Sequence, residues 1–194
     1  MLSLLELKVT LLGTKPSVYR ILHIEKSRTF YELHIAIQIA FGWENHHMHE
    51  FRINDECIGD KEFLDDANAL ESSHTRLSQK IVFEKQIFSY VYDFGDYWEH
   101  SIQLVKFIEP KRTFYPKCIK GERNSPPEDC GGVRGFQTFK EIMKDKKHPE
   151  HKEMIAWNDG PFDEDFFSLL FINDDFKHFD TMVKASLEFD EEEE

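Results

Sequence analysis

Residues 90–100 have the sequence Tyr-Val-Tyr-Asp-Phe-Gly-Asp-Tyr-Trp-Glu-His, and this stretch decides how the chain folds. Polar and apolar residues alternate on both sides of its centre, which is the pattern of two half-buried strands. Gly95 and Asp96 suit a tight turn, because glycine and aspartate adopt turn conformations readily. The stretch therefore predicts a β-hairpin that brings Asp93, Asp96 and His100 to one end of a sheet.

The chain before this hairpin predicts two strands and a helix. Apolar and polar residues alternate from Leu5 to Leu11, and Ser17 to Ile24 is predicted to be the hairpin partner of that strand. Thr29 and Glu32 have the spacing of a capping box, ahead of an apolar stripe that ends at Gly42. The start is thus strand, strand, helix, as in a β-grasp-like fold.

The chain after the hairpin predicts a short strand at Tyr115 to Ile119, then a loop rich in proline and glycine, and then helices that end with one over Asp174 to Leu187. We therefore predict the α+β class, with a mixed or antiparallel β-sheet, a β-grasp-like strand-strand-helix start and a helical C-terminal third. One domain is expected over residues 1–187. Residues 188–194 contain six acids and are expected to form a disordered acidic tail.

Charge and composition limit the function. The chain has 194 residues, an apolar share of 40% and 18 Phe, which is enough for a sizeable core. Its net charge of −13 argues against direct nucleic-acid binding, which depends on clustered Lys and Arg. Lys106 to Arg123 is the exception, with six basic residues against two acidic ones. That stretch is compatible with an anion-facing loop, with a solvated surface, or with direct contact to DNA.

The cysteines and the apolar runs indicate a compartment. Cys57, Cys118 and Cys130 make an odd count, without a secretory signal, so a cytoplasmic protein with free thiols is expected. No run approaches the roughly 18 apolar residues of a membrane span, so no membrane partner is expected. A thiol of Cys118 or Cys130 with His100 as base would be a nucleophile, but a lone thiol is also a common small buried hydrophobe.

Several polar residues fall on apolar faces, which indicates a site. In a strand over His47 to Ile53, the two histidines His47 and His49 share the face of the apolar residues, and His100 lies in a similar row with Trp98. A second unusual stretch, Pro126 to Gly132, adds two carboxylates. We predict that these groups face one polar pocket. The candidate pocket residues are Trp43, His47, His49, Asp93, Asp96, Trp98, His100, Glu128 and Asp129.

The same residues allow a metal site or a purely structural network. His47, His49, His100 and Asp96 are candidate ligands of a divalent metal such as Zn or Mn, since imidazole and carboxylate suit these ions. In the structural alternative, the three histidines hydrogen-bond to buried carboxylates such as Asp93 or Glu128 and hold the hairpin to the loop.

Four segments in combination carry a resemblance to a known family. They are Gly42-Trp43-Glu44-Asn45 with His47 and His49; Tyr92-Asp93-Phe94-Gly95-Asp96 with Trp98-Glu99-His100; Tyr115-Pro116 with Cys118 and Gly121; and Pro126-Pro127-Glu128-Asp129 with Gly131-Gly132. From about Leu4 to about Leu170 the chain resembles the plasmid pRiA4b ORF-3-like family, also labelled passenger proteins of an insertion element.

The resemblance implies a compact α+β domain of bacteria and archaea, often linked to plasmids or mobile elements, and it implies no established reaction. Family members often have a cysteine just before the Pro-Pro-Glu-Asp run, where this chain has Ser125. The resemblance therefore does not imply, for this chain, a metal site that needs this thiolate.

Two classes of function are compatible with these residues, and neither settles whether the protein is an enzyme. The first is a soluble binding or interaction module of a plasmid-associated or mobile-element-associated family, with an unidentified protein or small molecule as partner. The alternative is a metal-dependent hydrolase of phosphoesters or amides that uses a cluster of His and Asp side chains to hold the ion.

Overall fold

The computed structural model describes residues 3–64, 66–109, 111 and 116–192. Eight strands lie within these residues: β1 (Leu4–Leu11), β2 (Val18–Glu25), β3 (His49–Ile53), β4 (Glu56–Gly59), β5 (Leu70–Glu71), β6 (Ile87–Tyr92), β7 (Trp98–Ile108) and β8 (Lys117–Glu122). They form one sheet in the order β5-β4-β3-β6-β7-β1-β2-β8. Every neighbouring pair is antiparallel except β4 and β5, which are parallel. The sheet is therefore mixed.

The helices follow the sheet in the chain, apart from two that are inserted between strands. They are α1 (Phe30–Phe41), α2 (Leu77–Lys80), α3 (Gly132–Lys144), α4 (His151–Trp157), α5 (Leu169–Asp175) and α6 (Phe179–Glu192), with short 3-10 turns at Lys61–Phe63 and Phe176–His178. The prediction of an α+β fold with a strand-strand-helix start and a helical C-terminal third is confirmed. None of the helices in the described part of the chain is long and apolar enough to cross a membrane.

Helix α1 begins and ends as its sequence predicts. The Thr29 hydroxyl accepts a hydrogen bond from the Glu32 backbone N–H, and the Glu32 carboxylate accepts one from the Thr29 N–H, which completes the capping box. Gly42 ends the helix in the left-handed conformation, with φ of 72°. Local sequence alone therefore sets both boundaries of this helix.

Helix α1 is enclosed on all sides, so it forms the centre of the core. Every residue of the helix except Glu32 is buried. Phe30 packs edge-on against Phe51 of β3, with ring centroids 5.1 Å apart. On the outer side, α6 covers the helix, and the Tyr31 hydroxyl hydrogen-bonds to Ser186 at 2.7 Å. The hydrophobic burial of this helix joins the sheet to the C-terminal helices in one core.

Several predicted boundaries differ from the observed ones. Strand β3 begins at His49 rather than at His47, because the chain leaves α1 through an irregular segment in which Asn45 has a φ of 60°. Strand β8 begins at Lys117, and Tyr115 lies outside the described residues. The helix predicted over Asp174 to Leu187 begins later, as α6 at Phe179, and continues to Glu192, since glutamate is a good helix former; residues 193–194 lie outside the described part.

Arg20 is a buried cation that joins three parts of the fold. Its side chain donates hydrogen bonds to the carbonyls of Ala40 in α1 and Glu122 in β8, and to the Ser125 hydroxyl, at 2.8, 3.0 and 3.0 Å. The hydrogen-bond partners of the guanidinium are neutral oxygens, and burial lowers its pKa to about 10. Arg20 therefore remains charged at neutral pH and fixes the start of the Pro126 to Gly132 loop to the end of α1.

The substitution Arg20→Met should destabilise the protein by about 2–4 kcal/mol, because it leaves several buried oxygens without a donor. Urea unfolding monitored by circular dichroism measures this loss. The matched control is Arg52→Met. Arg52 is 61% exposed and pairs with Glu50 at the surface, so its replacement should cost less than about 1 kcal/mol. Equal losses for the two variants would show that Arg20 does not hold these elements together.

Candidate functional site

The hairpin between β6 and β7 turns through residues 93–97 with a strained backbone. Asp93 and Tyr97 have left-handed backbones, with φ of 57° and 56°. The Asp93 carboxylate accepts a hydrogen bond from the Gly95 N–H at 2.8 Å, and the Tyr97 N–H donates to the Asp93 carbonyl at 2.6 Å. Left-handed residues other than glycine are uncommon and cluster at functional sites, so this turn is a candidate for one.

The Pro126 to Gly132 loop docks on this turn. The Asp96 carboxylate accepts a hydrogen bond from the Gly131 N–H at 3.0 Å. A Cβ on Gly132 would lie only 2.4 Å from the Asp96 carbonyl oxygen, so the close approach needs glycine here. Trp43 holds the other end of the loop, because its indole N–H donates to the Pro126 carbonyl at 2.9 Å. The two unusual stretches of the sequence therefore meet.

One group of possible metal ligands lies at this junction. The His47 Nε2 atom is 3.2 Å from Asp129 Oδ1 and 3.8 Å from Asp93 Oδ2. All three ligand atoms lie within 4.8 Å of one another. Although Nε2 is shielded from solvent, it forms no hydrogen bond to the described residues. We call His47, Asp93 and Asp129 the junction triad.

A second group lies around the Tyr92 hydroxyl. Its members are Glu44, His46 and Glu128, and their ligand atoms also lie within 4.8 Å of one another. The Tyr92 hydroxyl donates to the Glu128 carboxylate at 2.6 Å and accepts from the His46 N–H at 3.1 Å. Burial and the neighbouring Glu128 raise the pKa of Tyr92, so this hydroxyl stays protonated. Glu44 and His46 are exposed, so this group is more open than the junction triad.

His49 lies in the core rather than at the junction. Its ring stacks on the ring of His34 from α1, with centroids 3.7 Å apart. His34 Nε2 donates to the Asn45 side-chain oxygen, so Nδ1 accepts from the Tyr90 hydroxyl at 2.8 Å. Burial lowers the pKa of His34 to about 3, and burial together with His34 lowers that of His49 well below its usual range. Both imidazoles are therefore neutral.

The sequence alone does not single out His34 as a buried polar residue. It sits inside an almost continuous apolar run, Phe30 to Phe41, and belongs to no recognisable motif. Helical periodicity could have predicted its burial, because His34 lies four residues after Phe30 and therefore on the same face of the helix.

His100 is also a core residue, and its predicted carboxylate partner is wrong. Its Nδ1–H donates to the Trp98 carbonyl at 2.9 Å, and its Nε2 has no hydrogen-bond partner among the described residues. Phe41 and Trp43 contact the ring edge-on, with centroids 5.0 and 5.5 Å away. Burial lowers the pKa of His100 to about 3. Alternation along β7 placed this histidine on the correct face, but that face is enclosed by aromatic rings.

The predicted pocket therefore divides into a surface part and a core part. His47, Asp93, Asp96, Glu128 and Asp129 meet where the loop docks on the turn, and Trp43 lies beneath them. His49, Trp98 and His100 are buried below. The predicted metal set of His47, His49, His100 and Asp96 needs revision, because of these four only His47 belongs to a group with close ligand atoms.

A cleft of about 460 Å³ opens on the other side of Asp129, and we call it the α3–α4 cleft. It has an apolar floor and an acidic rim. The lining residues are Asp129, Cys130, Gly135, Thr138, Phe139, Ile142, Glu150, Glu153, Met154 and Trp157.

The cysteines do not have the properties of activated nucleophiles. Burial raises the pKa of Cys118 to about 11. Burial and the nearby Asp96 raise that of Cys130 to about 12. Since the thiolate is the reactive form, both side chains are unreactive thiols at neutral pH.

The basic stretch Lys106 to Arg123 lies partly outside the described residues, which omit 110 and 112–115. Of its described members, Lys106 lies 3.7 Å from Glu6, and Arg123 pairs with Asp165. Acidic side chains of the same chain therefore neutralise part of the positive charge of this stretch.

Comparisons with known proteins agree with the fold and the motifs. The family model described as plasmid pRiA4b ORF-3-like protein matches residues 3–170. The uncharacterised protein y4hQ of Sinorhizobium fredii is 35% identical over 158 residues, which cover 80% of this chain and 80% of that protein. The crystal structure of MM3350, a protein of unknown function from Methanosarcina mazei Go1, matches with a TM-score of 0.76 and 30% identity, covering 87% of this chain and 96% of the other.

Lowering the pH should destabilise the fold through the buried histidines. The pKa of His34 and of His100 is about 3 in the fold, against 6.5 ordinarily, so between these values only the unfolded chain binds the protons. Stability should be highest above pH 6.5 and fall toward pH 3, by up to about 1.4 kcal/mol per pH unit for each histidine.

The test is urea unfolding between about pH 7 and pH 5 for wild type, His100→Phe and the control His178→Phe. His178 is exposed. The His100→Phe variant should have a flatter pH dependence, whereas the control should follow wild type. Parallel curves for wild type and His100→Phe would contradict the burial of a neutral imidazole.

Proposed function

We propose that this chain, which belongs to the plasmid pRiA4b ORF-3-like protein family, is a binding module that holds a divalent cation at the junction triad. The observation that carries the proposal is the meeting of His47 Nε2 with carboxylate oxygens of Asp93 and Asp129 within 4.8 Å. Imidazole with carboxylate is a ligand set that suits Zn²⁺ or Mn²⁺.

The backbone supports the same proposal. Asp93 and Asp129 both have left-handed conformations, with φ of 57° and 55°. Two such residues in facing turns cost conformational free energy, which is tolerated most often where the geometry has a use. Asp93 is also buried, and a bound cation would offset the free-energy cost of burying its charged carboxylate.

The proposal includes a cytoplasmic setting. All three cysteines carry free thiols, and Cys57 and Cys118 are buried. Free thiols are typical of reducing compartments. Beyond the cation, the partner is proposed to be a small molecule or a protein that reaches the open side of the junction, where Asp129 is exposed.

Metal binding should depend on the junction triad and not on the neighbouring group. Protein purified without a histidine tag and loaded with Zn²⁺ or Mn²⁺ should retain about one ion per chain after dialysis, measured by elemental analysis. Both His47→Gln and Asp129→Asn should weaken binding at least about tenfold in calorimetric titrations, because each removes a ligand. Bound metal should also raise the melting temperature of wild type.

The matched control is His46→Gln, which removes the histidine of the Glu44, His46 and Glu128 group. It should bind the ion as wild type does. Loss of binding in His46→Gln with retention in His47→Gln would move the site to that second group, and no retained metal in wild type would reject the proposal.

A second candidate function is metal-dependent hydrolysis of a phosphoester or an amide. The observation that favours it is the number of protein ligands, since the junction triad supplies three and leaves positions for water and substrate. A cation there would lower the pKa of bound water and supply the nucleophile.

If the protein is such a hydrolase, it should hydrolyse bis-p-nitrophenyl phosphate or a p-nitroanilide amide. A chelator should abolish this activity, and added Mn²⁺ or Zn²⁺ should restore it. The activity should disappear in Asp129→Asn and persist in His46→Gln. Metal binding without turnover of either substrate would support the binding module and contradict the hydrolase.

A further inference from the structure

The α3–α4 cleft has the size and the lining of a ligand site. Its volume of about 460 Å³ lies within the range of small-molecule pockets. Phe139 and Ile142 of α3 are buried at its floor, and Trp157 of α4 packs edge-on against Phe139 with centroids 5.8 Å apart. Trp157 is nevertheless 48% exposed, so part of its ring is free to contact a ligand.

The charge of the cleft has one sign. Its lining includes three acidic residues, Asp129, Glu150 and Glu153, and no basic residue. Asp129 faces His47 on the junction side. Neither Glu150 nor Glu153 has an ion-pair or hydrogen-bond partner for its carboxylate among the described residues.

We infer that the α3–α4 cleft binds an organic cation, an ammonium group carried on an apolar stem. The apolar floor would cover the stem, and the rim carboxylates would surround the charge. A cation over the exposed ring of Trp157 gains further from the cation–π interaction. Anionic ligands such as phosphates or carboxylates are disfavoured, because they would meet like charge from Asp129, Glu150 and Glu153.

Helix position gives Glu150 and Glu153 an alternative role. They lie at the N-terminus of α4, where acidic side chains stabilise the helix dipole. That role does not account for Asp129, which comes from a different segment, or for the cavity between the three groups. The cleft inference goes beyond the cation site at the junction triad, and it does not require that site to be occupied.

The test compares three ligands of nearly the same shape. These are 2-phenylethylamine, the neutral 2-phenylethanol and the anionic 3-phenylpropionate, each titrated while the Trp157 indole N–H is followed by NMR. The amine should bind at least about tenfold more tightly than the alcohol, and the anion should bind more weakly than either. The blocked peptide acetyl-Ala-Lys-Ala-amide distinguishes a free amine from a lysine side chain as the source of the ammonium group.

The double variant Glu150→Gln/Glu153→Gln should lose about fivefold or more of the amine affinity and little of the alcohol affinity. The matched control is Glu141→Gln, an exposed glutamate of α3 that does not line the cleft. It should bind both ligands as wild type does. Melting curves of both variants verify that they fold.

The inference is overturned if the alcohol binds as tightly as the amine, if the double variant keeps full amine affinity, or if the amine causes no shift at its highest soluble concentration. Titration of the same double variant with Zn²⁺ separates the two sites. The variant should retain metal at the junction triad, so failure of one site would not be mistaken for failure of the other.

Discussion

The enclosure of α1 is the constraint on which the rest of the structure depends. Because the sheet covers one side and α6 the other, two polar residues of this helix, His34 and Gln38, have almost no access to water. Buried polar groups need hydrogen-bond partners. Gln38 donates to the Tyr90 hydroxyl at 3.0 Å and accepts from the Asn45 N–H at 3.2 Å. The hydrogen bonds of Gln38 thereby fix the segment that follows the helix.

This hydrogen-bond network also fixes the geometry of the junction. Asn45 is fixed by the helix, so His46 and His47 are directed toward the end of β6. Tyr92, on the same strand as Tyr90, stacks on Trp43 with centroids 5.2 Å apart, and Trp43 in turn holds the loop through Pro126. The surface residues that could bind a ligand therefore stand on a rigid and largely aromatic base, which is the arrangement that keeps a binding site pre-organised.

The buried histidines and most of the carboxylates of the candidate sites differ in depth and in charge. Imidazoles in the core are neutral, because burial penalises the charged form more than the available hydrogen bonds favour it. Apart from the buried Asp93, the carboxylates around the junction and around the α3–α4 cleft lie at or near the surface, in a chain whose net charge is −13. Both proposed sites accordingly take cations, one as a metal ion and the other as an organic ammonium.

Local sequence patterns by themselves determined several elements of this protein. Alternation predicted β1, β2 and the β6–β7 hairpin, and the capping box with Gly42 predicted both ends of α1, because these signals act between near neighbours in the chain. Only the tertiary structure decided the site. His47 and His49 are two residues apart, yet β3 begins only at His49, so His47 reaches the junction whereas His49 stacks on His34. His47, Asp93 and Asp129 come together through strand pairing and loop docking, which are long-range contacts that local patterns do not encode.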